Sequence, residues 1–464
     1  MTLEPVTHEP PGGGPELKLD DGARVCVIGA GPAGSLFAYF LLEIAGRVGL
    51  DLHVDIYESR DFHHSSPQGC NMCGGIVSES LVQNLAAEGL NLPPTVVQRG
   101  IDSYHLHMDV GSVLIETPLR EMRIGAVHRG AGPKDVKDRD WESFDQHLLE
   151  RALGKGANLV RGRVDGVSVE NGKPVIRLRT GDQATYDLLT VATGVNSPVL
   201  KAFEAAGIGY VAPSITKTFI REYYLGRDVI ARTVGSSMHV FLLDIPRLDF
   251  AALIPKGDYV TVCMLGENID NALVQAFLDA PEVKRCFPPE WRAETKSCQC
   301  MPYINVRGVE RPYADRFVFV GDCGMTRLYK DGIGAAYRTA KAAARTAVFE
   351  GVSAEAFHKH YGSVCRTIAS DNVMGRMAFV FTRLAKRMTV ARRAILRVTI
   401  AEQQRAGDQR RMSGILWDMF SGSAPYKDIF MRMLHPGFAA GFAWAFARSL
   451  WPAPAPGRDQ EAVP

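Results

Sequence analysis

The chain has 464 residues, of which 46% are hydrophobic and 22% are charged, and a formal net charge of +2. This composition is ordinary for a globular protein, and the length exceeds that of a single hydrophobic core. No apolar run reaches the roughly 18 residues of a membrane-spanning helix, and the Pro- and Gly-rich start lacks the apolar segment of a signal peptide. Nine cysteines without a signal peptide argue against a disulfide framework and favour a reduced, cytoplasmic setting.

The first predicted elements form a dinucleotide-binding unit. Residues 24–34 read Arg-Val-Cys-Val-Ile-Gly-Ala-Gly-Pro-Ala-Gly, an apolar strand that runs into a G-x-G-x-x-G turn, and a helix is expected over 35–45. A second strand over 52–57 ends at Glu58, 24 residues after Gly34. This order is typical of a βαβ unit that holds a pyrophosphate at the helix N-terminus. The alternative is a purely structural glycine turn.

Each residue of this unit has an expected role. Gly29 allows the tight turn, Gly31 lets the backbone approach a pyrophosphate, and Gly34 lets the helix pack close to the strand. Glu58 is placed to accept hydrogen bonds from ribose hydroxyls. The predicted cofactor contacts here are Gly29, Gly31, Ala33, Gly34, Glu58 and Ser59.

Three later segments favour FAD over NAD as the dinucleotide. One strand ends in Ala-Thr-Gly at 192–194, and another ends in Gly-Asp at 321–322, where an acid can accept from ribityl hydroxyls. A Gly-Ile-Gly segment at 332–334 then opens an Ala-rich helix, whose N-terminus places N–H groups and a positive dipole end against a flavin. Each segment alone also fits a buried strand with a glycine turn. The predicted flavin contacts are Ala192, Thr193, Gly194, Gly321, Asp322, Gly332, Ile333 and Gly334.

Residues 22–350 resemble the FAD-dependent oxidoreductases that include the geranylgeranyl reductases and para-hydroxybenzoate hydroxylase. The segment Gly69-Cys-Asn-Met-Cys-Gly-Gly75 is most similar to the geranylgeranyl reductase family, which carries Cys-Gly-Gly near the flavin. The resemblance implies that Cys73, Gly74 and Gly75 shape the catalytic pocket. It also implies a flavin-holding arginine before Phe144-Asp145, for which Arg129 is the first choice. Thr193 is a departure, because these families usually carry an Asp there.

Cys70 and Cys73 form a C-x-x-C pair with four open interpretations. The pair is a redox dithiol that exchanges electrons with the flavin, or Cys73 faces the substrate as the resemblance implies. Alternatively, Cys298 and Cys300 complete a metal or cluster site, or all are small buried hydrophobes. The Cys298-x-Cys300 spacing is too tight for usual zinc pairs, so no metal ligand is assigned.

The expected fold class is α/β, with a Rossmann-type FAD-binding domain, a β-rich substrate domain and a helical C-terminal extension. Residues 101–130 and 215–266 read as strands whose apolar side chains fit either an apolar substrate pocket or an ordinary core. The predicted order is a disordered leader (1–21), an FAD domain in three parts (22–100, 131–212, 306–350), a substrate domain in two parts (101–130, 213–305), a helical region (351–451) and a disordered tail (452–464).

The C-terminal region combines basic and apolar residues. Residues 376–411 carry ten Lys or Arg and two acids, and an aromatic, apolar segment follows over 434–451, broken by Pro436, Gly437 and Gly441. Such a combination is typical of an interfacial anchor on the inner face of a membrane. A solvated basic face with a docked terminal helix is the alternative. No motif favours nucleic acid.

Together these patterns predict an FAD-dependent reductase or dehydrogenase that passes a hydride from reduced FAD to a double bond of an apolar, isoprenoid-like substrate. Only one dinucleotide fingerprint is visible, so the electron donor is expected to be transiently bound NAD(P)H, a protein or a quinol. One alternative is a peripheral-membrane flavoprotein that passes electrons between a donor and quinone. Another, non-enzymatic, is a prenyl- or lipid-binding carrier similar to the Rab GDP dissociation inhibitors.

Overall fold

The computed structural model describes residues 17–63, 71, 73–118, 124–134, 136, 139–292, 298–405 and 410–451. Cys70, most of the predicted leader and the whole predicted tail lie outside these ranges. The strands are β1 (Ala23–Ile28), β2 (Leu52–Tyr57), β3 (Ile76–Val77), β4 (Val97–Ile101), β5 (Ser103–Met108), β6 (Gly111–Glu116), β7 (Ile124–Val127), β8 (Asn158–Val160), β9 (Val164–Glu170), β10 (Lys173–Leu178), β11 (Gln183–Thr185), β12 (Leu188–Val191), β13 (Ser214–Tyr224), β14 (Ser237–Phe241), β15 (Leu248–Lys256), β16 (Tyr259–Gly266), β17 (Gln299–Cys300), β18 (Tyr303–Arg307), β19 (Tyr313–Ala314) and β20 (Phe317–Phe319).

The α-helices are distributed along the whole chain and accumulate at its C-terminal end. A 3-10 turn covers Gly321–Cys323 and a π-helical turn covers Phe357–Tyr361. The helices are α1 (Pro32–Arg47), α2 (Glu79–Ala87), α3 (Phe144–Leu153), α4 (Leu200–Ala205), α5 (Arg227–Thr233), α6 (Asn271–Asp279), α7 (Pro281–Lys284), α8 (Gly332–Phe349), α9 (Ala354–Ala356), α10 (Gly362–Arg387), α11 (Thr389–Gln403), α12 (Arg411–Ser421), α13 (Tyr426–Met433) and α14 (Pro436–Ser449).

A six-stranded sheet carries the glycine fingerprint at its centre. Its strand order is β19-β20-β12-β1-β2-β8, and every pair except β19–β20 is parallel. Parallel sheets require cover on both faces. Helices α1, α3 and α8 pack together over one face around Phe37, and the antiparallel sheet β9–β11 covers the other face through Ile176. Both faces of β1 are thereby buried.

The elements predicted around the fingerprint occur where the sequence places them. The strand expected over 52–57 is β2, and the helix expected from Phe144 is α3. Helix α1 starts at Pro32, three residues earlier than expected, because proline is well tolerated in the first turn, where its missing N–H is not needed. The predicted helix after the Gly-Ile-Gly segment is α8.

A larger mixed sheet forms the second layer. Its order is β17-β13-β16-β15-β14-β5-β6, with β18 beside β13, and the pairing is antiparallel except between β14 and β5. One face packs against the C-terminal helices around Trp417 and Tyr104, whose ring centroids lie 4.8 Å apart. The other face packs against α6 and the segment after α7 around Phe241 and Phe277. A small sheet, β3-β7-β4, adjoins this layer.

The C-terminal helices are tied to the segment before α8. The Arg327 guanidinium donates to the carbonyls of Gly422 and Ala424, and the Tyr426 hydroxyl donates to the carbonyl of Leu328. These bonds hold α12 and α13 against the two sheets.

The expectation that glycines break the terminal apolar segment was wrong. Pro436 occupies the first turn of α14, and Gly437 and Gly441 lie inside that helix. A glycine costs about 1 kcal/mol relative to alanine in a helix, and the contacts of α14 with α11 offset this cost. Within the described ranges, no helix combines the length and hydropathy required to cross a bilayer.

Candidate active site

A cavity of about 870 Å³ lies between the two large sheets and α12. Its volume is near the upper end of the roughly 300–1,000 Å³ of small-molecule sites. All the residues predicted from the sequence as site residues line it except Gly34 and Gly334. The predicted residues in the lining are Gly29, Gly31, Ala33, Glu58, Ser59, Cys73, Gly74, Gly75, Arg129, Ala192, Thr193, Gly194, Gly321, Asp322, Gly332 and Ile333.

The glycine turn forms one end of the cavity. Gly29 has φ +101°, and a Cβ there would lie 2.8 Å from the carbonyl oxygen of Ala192. A Cβ on Gly34 would lie 1.9 Å from the carbonyl oxygen of Gly29, which explains why Gly34 packs behind the turn rather than lining the cavity. Gly31 caps α1 without a side-chain hydrogen bond, so the first N–H groups of the helix remain available to an anion.

Glu58, at the end of β2, is already engaged by protein donors. Its carboxylate accepts from the backbone N–H of Ala30 at 3.2 Å and from that of Arg60 at 2.9 Å. The Arg60 guanidinium also donates to both carboxylate oxygens, from Nε at 3.2 Å and from Nη2 at 3.3 Å. Because a carboxylate has about four acceptor positions, a ribose hydroxyl that binds Glu58 must displace a contact of Arg60.

Arg129 lies beneath the cavity in a buried ion pair. Its Nη2 is 2.8 Å from Oδ1 of Asp145, and Gly130 donates its backbone N–H to the same carboxylate. Burial acts to raise the pKa of Asp145, but Arg129, the Gly130 N–H and Arg60 together more than offset it, so the pKa of this carboxyl is lowered. The arginine predicted from the resemblance therefore has its partner in the Phe-Asp that opens α3.

A polar chain joins these two predicted residues. The Arg60 guanidinium donates to Oδ1 of Asn71 at 2.6 Å, and the Asn71 amide donates to Asp145 at 3.3 Å. Glu58 and Arg129 are thus connected through Arg60, Asn71 and Asp145. Arg60 and Asn71 also line the cavity, and no sequence pattern indicates either of them.

The segments after β12 and β20 close the cavity over α1 and α8. Gly321 has φ +68°, and a Cβ there would lie 2.8 Å from Cβ of Ala33 in α1. Burial raises the pKa of the neighbouring Asp322. Gly334 lies in the first turn of α8, where a Cβ would lie 2.1 Å from Asp331, so it makes room for that carboxylate instead of lining the cavity.

The Cys-Gly-Gly segment lies between the two sheets. Gly75 has φ +72° and donates its backbone N–H to Sγ of Cys73 at 3.3 Å. A Cβ on Gly74 would lie 3.3 Å from Ile254 of β15, so the segment contacts the larger sheet directly. Its backbone can approach that sheet because neither glycine carries a side chain.

The described cysteines of the cavity do not support the four-cysteine metal interpretation. Cys73, Cys298 and Cys300 all line the cavity, but they do not converge on one ion within the part of the chain that the structure describes. Cys70 lies outside the described residues.

The wall opposite the glycine turn is apolar. Phe250, Ala252 and Ile254 alternate along β15 with their side chains toward the cavity, together with Cys263 and Leu265 of β16. Alternation along a strand is the signal that distinguishes them from core residues on the opposite face. Burial raises the pKa of the Cys263 thiol to about 11.

Among the described residues that line the cavity, Lys330 is the cation that lies beside Phe250 of this apolar wall. Its Nζ lies 3.7 Å from the centroid of the Phe250 ring. Burial lowers the pKa of Lys330 to about 8. Tyr329 and Asp331 also line the cavity, so the tripeptide before α8 faces the site as a unit.

No protein-family model and no curated protein sequence matches the chain. Solved structures do match. A flavoprotein/dehydrogenase from Cytophaga hutchinsonii has a TM-score of 0.61 and 15% identity over 93% of this chain and 99% of that one. A variant of 2-methyl-3-hydroxypyridine-5-carboxylic acid oxygenase has a TM-score of 0.57 and 15% identity over 80% and 94%. The halogenase PltM has a TM-score of 0.56 and 12% identity over 92% of both chains. At these identities the likeness shows the fold, and the predicted α/β fold class with its helical C-terminal region is confirmed.

Proposed function

We propose that this chain is an FAD-dependent oxidoreductase that reduces a carbon–carbon double bond of an apolar, isoprenoid-like substrate. One observation carries the proposal: a single cavity joins the glycine turn of a dinucleotide-binding unit to the apolar wall of the larger sheet. The likeness to solved flavin-dependent enzymes supports the oxidoreductase class. The Cys-Gly-Gly segment and the apolar wall support the finer assignment of the substrate.

The residues present fit FAD. The α1 N-terminus has free N–H donors beside Gly31, where even a Cβ would have no neighbour closer than 3.9 Å, so the backbone is open to a pyrophosphate. Asp322, in the 3-10 turn after β20, is placed for ribityl hydroxyls. Gly332 presents the α8 N-terminus, whose positive dipole end stabilises negative charge on a flavin.

When bound and reduced, FAD supplies a hydride for one carbon of the double bond. The protein must then hold the apolar substrate, exclude water and deliver a proton to the neighbouring carbon. Phe250, Ile254 and Leu265 provide an apolar surface for the chain of the substrate. Gly74 and Gly75 border this wall, because the absence of side chains lets their backbone pack against Ile254 and Lys256 of β15.

Lys330 is our proposed proton donor. A pKa of about 8 keeps its ammonium protonated near neutral pH and still acidic enough to release a proton. Its Nζ contacts Phe250, which belongs to the proposed substrate wall. Only Asp331 separates Lys330 from the first residue of α8, so the lysine lies at the junction between the cofactor and substrate ends of the cavity.

We further propose that the protein contacts a membrane surface through its C-terminal helices. One face of α10 exposes the apolar residues Met377, Val380, Phe381 and Leu384, and Met388 directly after the helix is also exposed, each by 41–54%. The Phe381 ring lies 6.5 Å from Phe430 of α13, so this face continues onto α13, where Met431 is exposed, and onto Leu434 after it. The exposed arginines Arg376 and Arg387 belong to the same helix, and Arg411 and Arg448 are exposed on α12 and α14.

This surface also favours a second candidate function, electron transfer between a donor and membrane quinone. Exposed apolar residues with basic neighbours suit access to any membrane-dissolved substrate. The two functions differ in what accepts the electrons, so one experiment separates them.

The test is an anaerobic reaction of the purified protein. The flavin is reduced with dithionite, or with NADPH and NADH in parallel, and then mixed with a polyprenol or with a short-chain ubiquinone. Reoxidation by the polyprenol, with two hydrogens added to the product by mass spectrometry, supports double-bond reduction. Reoxidation by quinone alone supports the second function. In a parallel reaction with air admitted, addition of an oxygen atom to the polyprenol would identify a hydroxylase instead. Protein that purifies and refolds without any flavin contradicts all three.

A further inference from the structure

Three histidines meet on the face of the larger sheet that is turned away from the C-terminal helices. His105 and His107 are two residues apart on β5 and therefore share one face. His239 on β14 is paired in parallel with His105. One ring nitrogen of each of the three residues lies within 4.8 Å of the others. The described lining of the large cavity includes none of them.

Cys286 approaches the same cluster from the segment after α7. Its Sγ lies 3.3 Å from Nδ1 of His239 and 3.9 Å from Nε2 of His107. The His107 and His239 nitrogens are themselves 2.9 Å apart. Four side chains from three chain segments thus direct nitrogen or sulfur atoms at one point in an otherwise apolar core.

The hydrogen bonds of the cluster orient a lone pair toward this point. Nε2 of His239 lies 3.2 Å from the carbonyl oxygen of Val234, so it carries the proton and Nδ1 is the acceptor. A backbone carbonyl that fixes the outer nitrogen in this way is the usual partner of a metal-binding histidine. The His105 ring stacks on His107, with centroids 4.3 Å apart, and has no hydrogen bond within the described residues.

The separations are close to those of a four-coordinate metal site. Zinc bonds of about 2.0–2.1 Å to nitrogen and about 2.3 Å to sulfur place tetrahedral ligand atoms about 3.3–3.6 Å apart. The observed 2.9, 3.3 and 3.9 Å bracket that range. Side-chain rotations that widen the His107–His239 contact and bring in His105, whose ring nitrogen lies within 4.8 Å of the other two, would complete the geometry. Burial disfavours the charged form of both rings, as a metal ligand requires.

We propose that His105, His107, His239 and Cys286 bind one Zn²⁺-type divalent ion in a closed, structural site. Imidazole nitrogen and thiolate sulfur are the ligands that zinc prefers, and four protein ligands leave no open position for a substrate. Binding releases the thiol proton of Cys286 to solvent. The ion would join β5, β14 and the segment after α7.

The test measures zinc in tag-free, full-length protein. After dialysis against EDTA, the protein is loaded with Zn²⁺, freed of excess metal by gel filtration and analysed by mass spectrometry for zinc per chain. One retained ion per chain, and a rise in melting temperature with added Zn²⁺, are expected. Co²⁺ in its place should give absorption at wavelengths longer than any flavin band, together with a thiolate charge-transfer band.

Two variants and one matched control make the result specific. Cys286→Ser and His105→Asn should each weaken zinc binding at least about tenfold, since even outer partners of metal ligands are worth 10- to 100-fold. Cys365→Ser is the control, because Cys365 is 4% exposed like Cys286 but lies in the other core. The half-buried position of His105 makes its variant the less disruptive of the two. Wild-type protein that retains no zinc, or variants that bind as tightly as the control, would overturn the proposal.

Discussion

The guanidinium of Arg129 and the carboxylate of Asp145 form an ion pair beneath the candidate active site, with Nη2 2.8 Å from Oδ1. The carboxylate is fully buried and the guanidinium is only 11% exposed. Burying two charges is costly unless they are paired and hydrogen-bonded. Loss of either partner therefore leaves an isolated charge between α3 and the cavity.

We expect Asp145→Asn to lower the free energy of unfolding by about 3–5 kcal/mol, because it leaves Arg129 buried without a counter-charge. Asp140→Asn is the control, because its pair with Arg227 is exposed and should contribute less than about 1 kcal/mol. Urea denaturation measures both. Equal losses in the two variants would contradict the role of burial.

The same ion pair makes the stability of the folded chain depend on pH in the acid range. The pKa of Asp145 is lower in the folded chain than in the unfolded chain, so its contribution is complete above pH of about 4 and is lost as the pH falls through the folded pKa. The Asn variant should therefore lose less stability than the wild type on acidification. Melting temperatures between neutral and acid pH provide the measurement.

Because α1 lies so close to the glycine turn, adding one methyl group at Gly34 should destabilise the fold. Gly34→Ala places a Cβ 1.9 Å from the carbonyl oxygen of Gly29, so the helix must shift, at a cost of about 1–3 kcal/mol. Gly46→Ala in the same helix meets nothing within 4 Å and should stabilise by about 0.5–1 kcal/mol. Thermal unfolding and bound flavin per chain are the readouts. A neutral Gly34→Ala variant would argue against this packing.

Lys330 predicts a pH profile for the proposed reduction. A proton donor with a pKa of about 8 is active below that pH, and the rate should fall as the pH rises through it. Lys330→Met should slow flavin reoxidation by substrate about 10²–10⁴-fold. Lys330→Arg keeps the charge but does not release its proton near neutral pH, so it should be equally slow. Single-turnover absorbance measures all three, and a fast Arg variant would exclude proton donation.

The lowered pKa of Lys330 also predicts that Lys330→Met, which should lose activity, gains thermal stability. Below pH 8 the lysine is charged in both states, and its burial penalises the folded chain. Lys330→Met should therefore raise the melting temperature at pH 7 and raise it less at pH 10. A variant that is less stable at pH 7 would show that the contact with Phe250 outweighs desolvation.

The proposed membrane surface is tested with vesicles. Wild-type protein should sediment with vesicles that contain phosphatidylglycerol and be released by salt, since each basic residue contributes roughly 1 kcal/mol at an anionic surface. Val380→Glu and Leu384→Glu should weaken binding, whereas Val211→Glu, at another exposed apolar position on a different part of the chain, should not. Binding that is unaffected by all three substitutions would assign the exposed face to another partner.

Elements whose sequence patterns lie within a short stretch of the chain were predicted correctly. The glycine turn, β2 and α3 depend on apolar periodicity and special backbone angles that neighbouring residues determine. Contacts between residues that are far apart in the chain have no comparable sequence pattern. His105 and His239 are 134 positions apart and meet through a parallel strand pair, and Arg60 and Asn71 meet through a side-chain hydrogen bond between residues 11 positions apart.

In the terminal helix α14, a local sequence pattern led to a wrong prediction. Gly437 and Gly441 read as breaks because local propensity disfavours glycine in a helix, but packing of α14 on α11 overrides that preference. The sequence also did not predict that α12 lines the cavity, because the position of this helix depends on the contacts of Arg327 with the chain beyond Ser421. Tertiary contacts decide both features.

The order in which the cavity is completed has a consequence for biosynthesis. Its described lining begins at Ile28 and ends at Ser421, so a ribosome must produce the chain through Ser421 before the last wall exists. The complete cavity is therefore available only late in synthesis. Because a ligand that binds only the folded chain stabilises it, chains that have not yet bound their ligand should be the more exposed to aggregation and proteolysis.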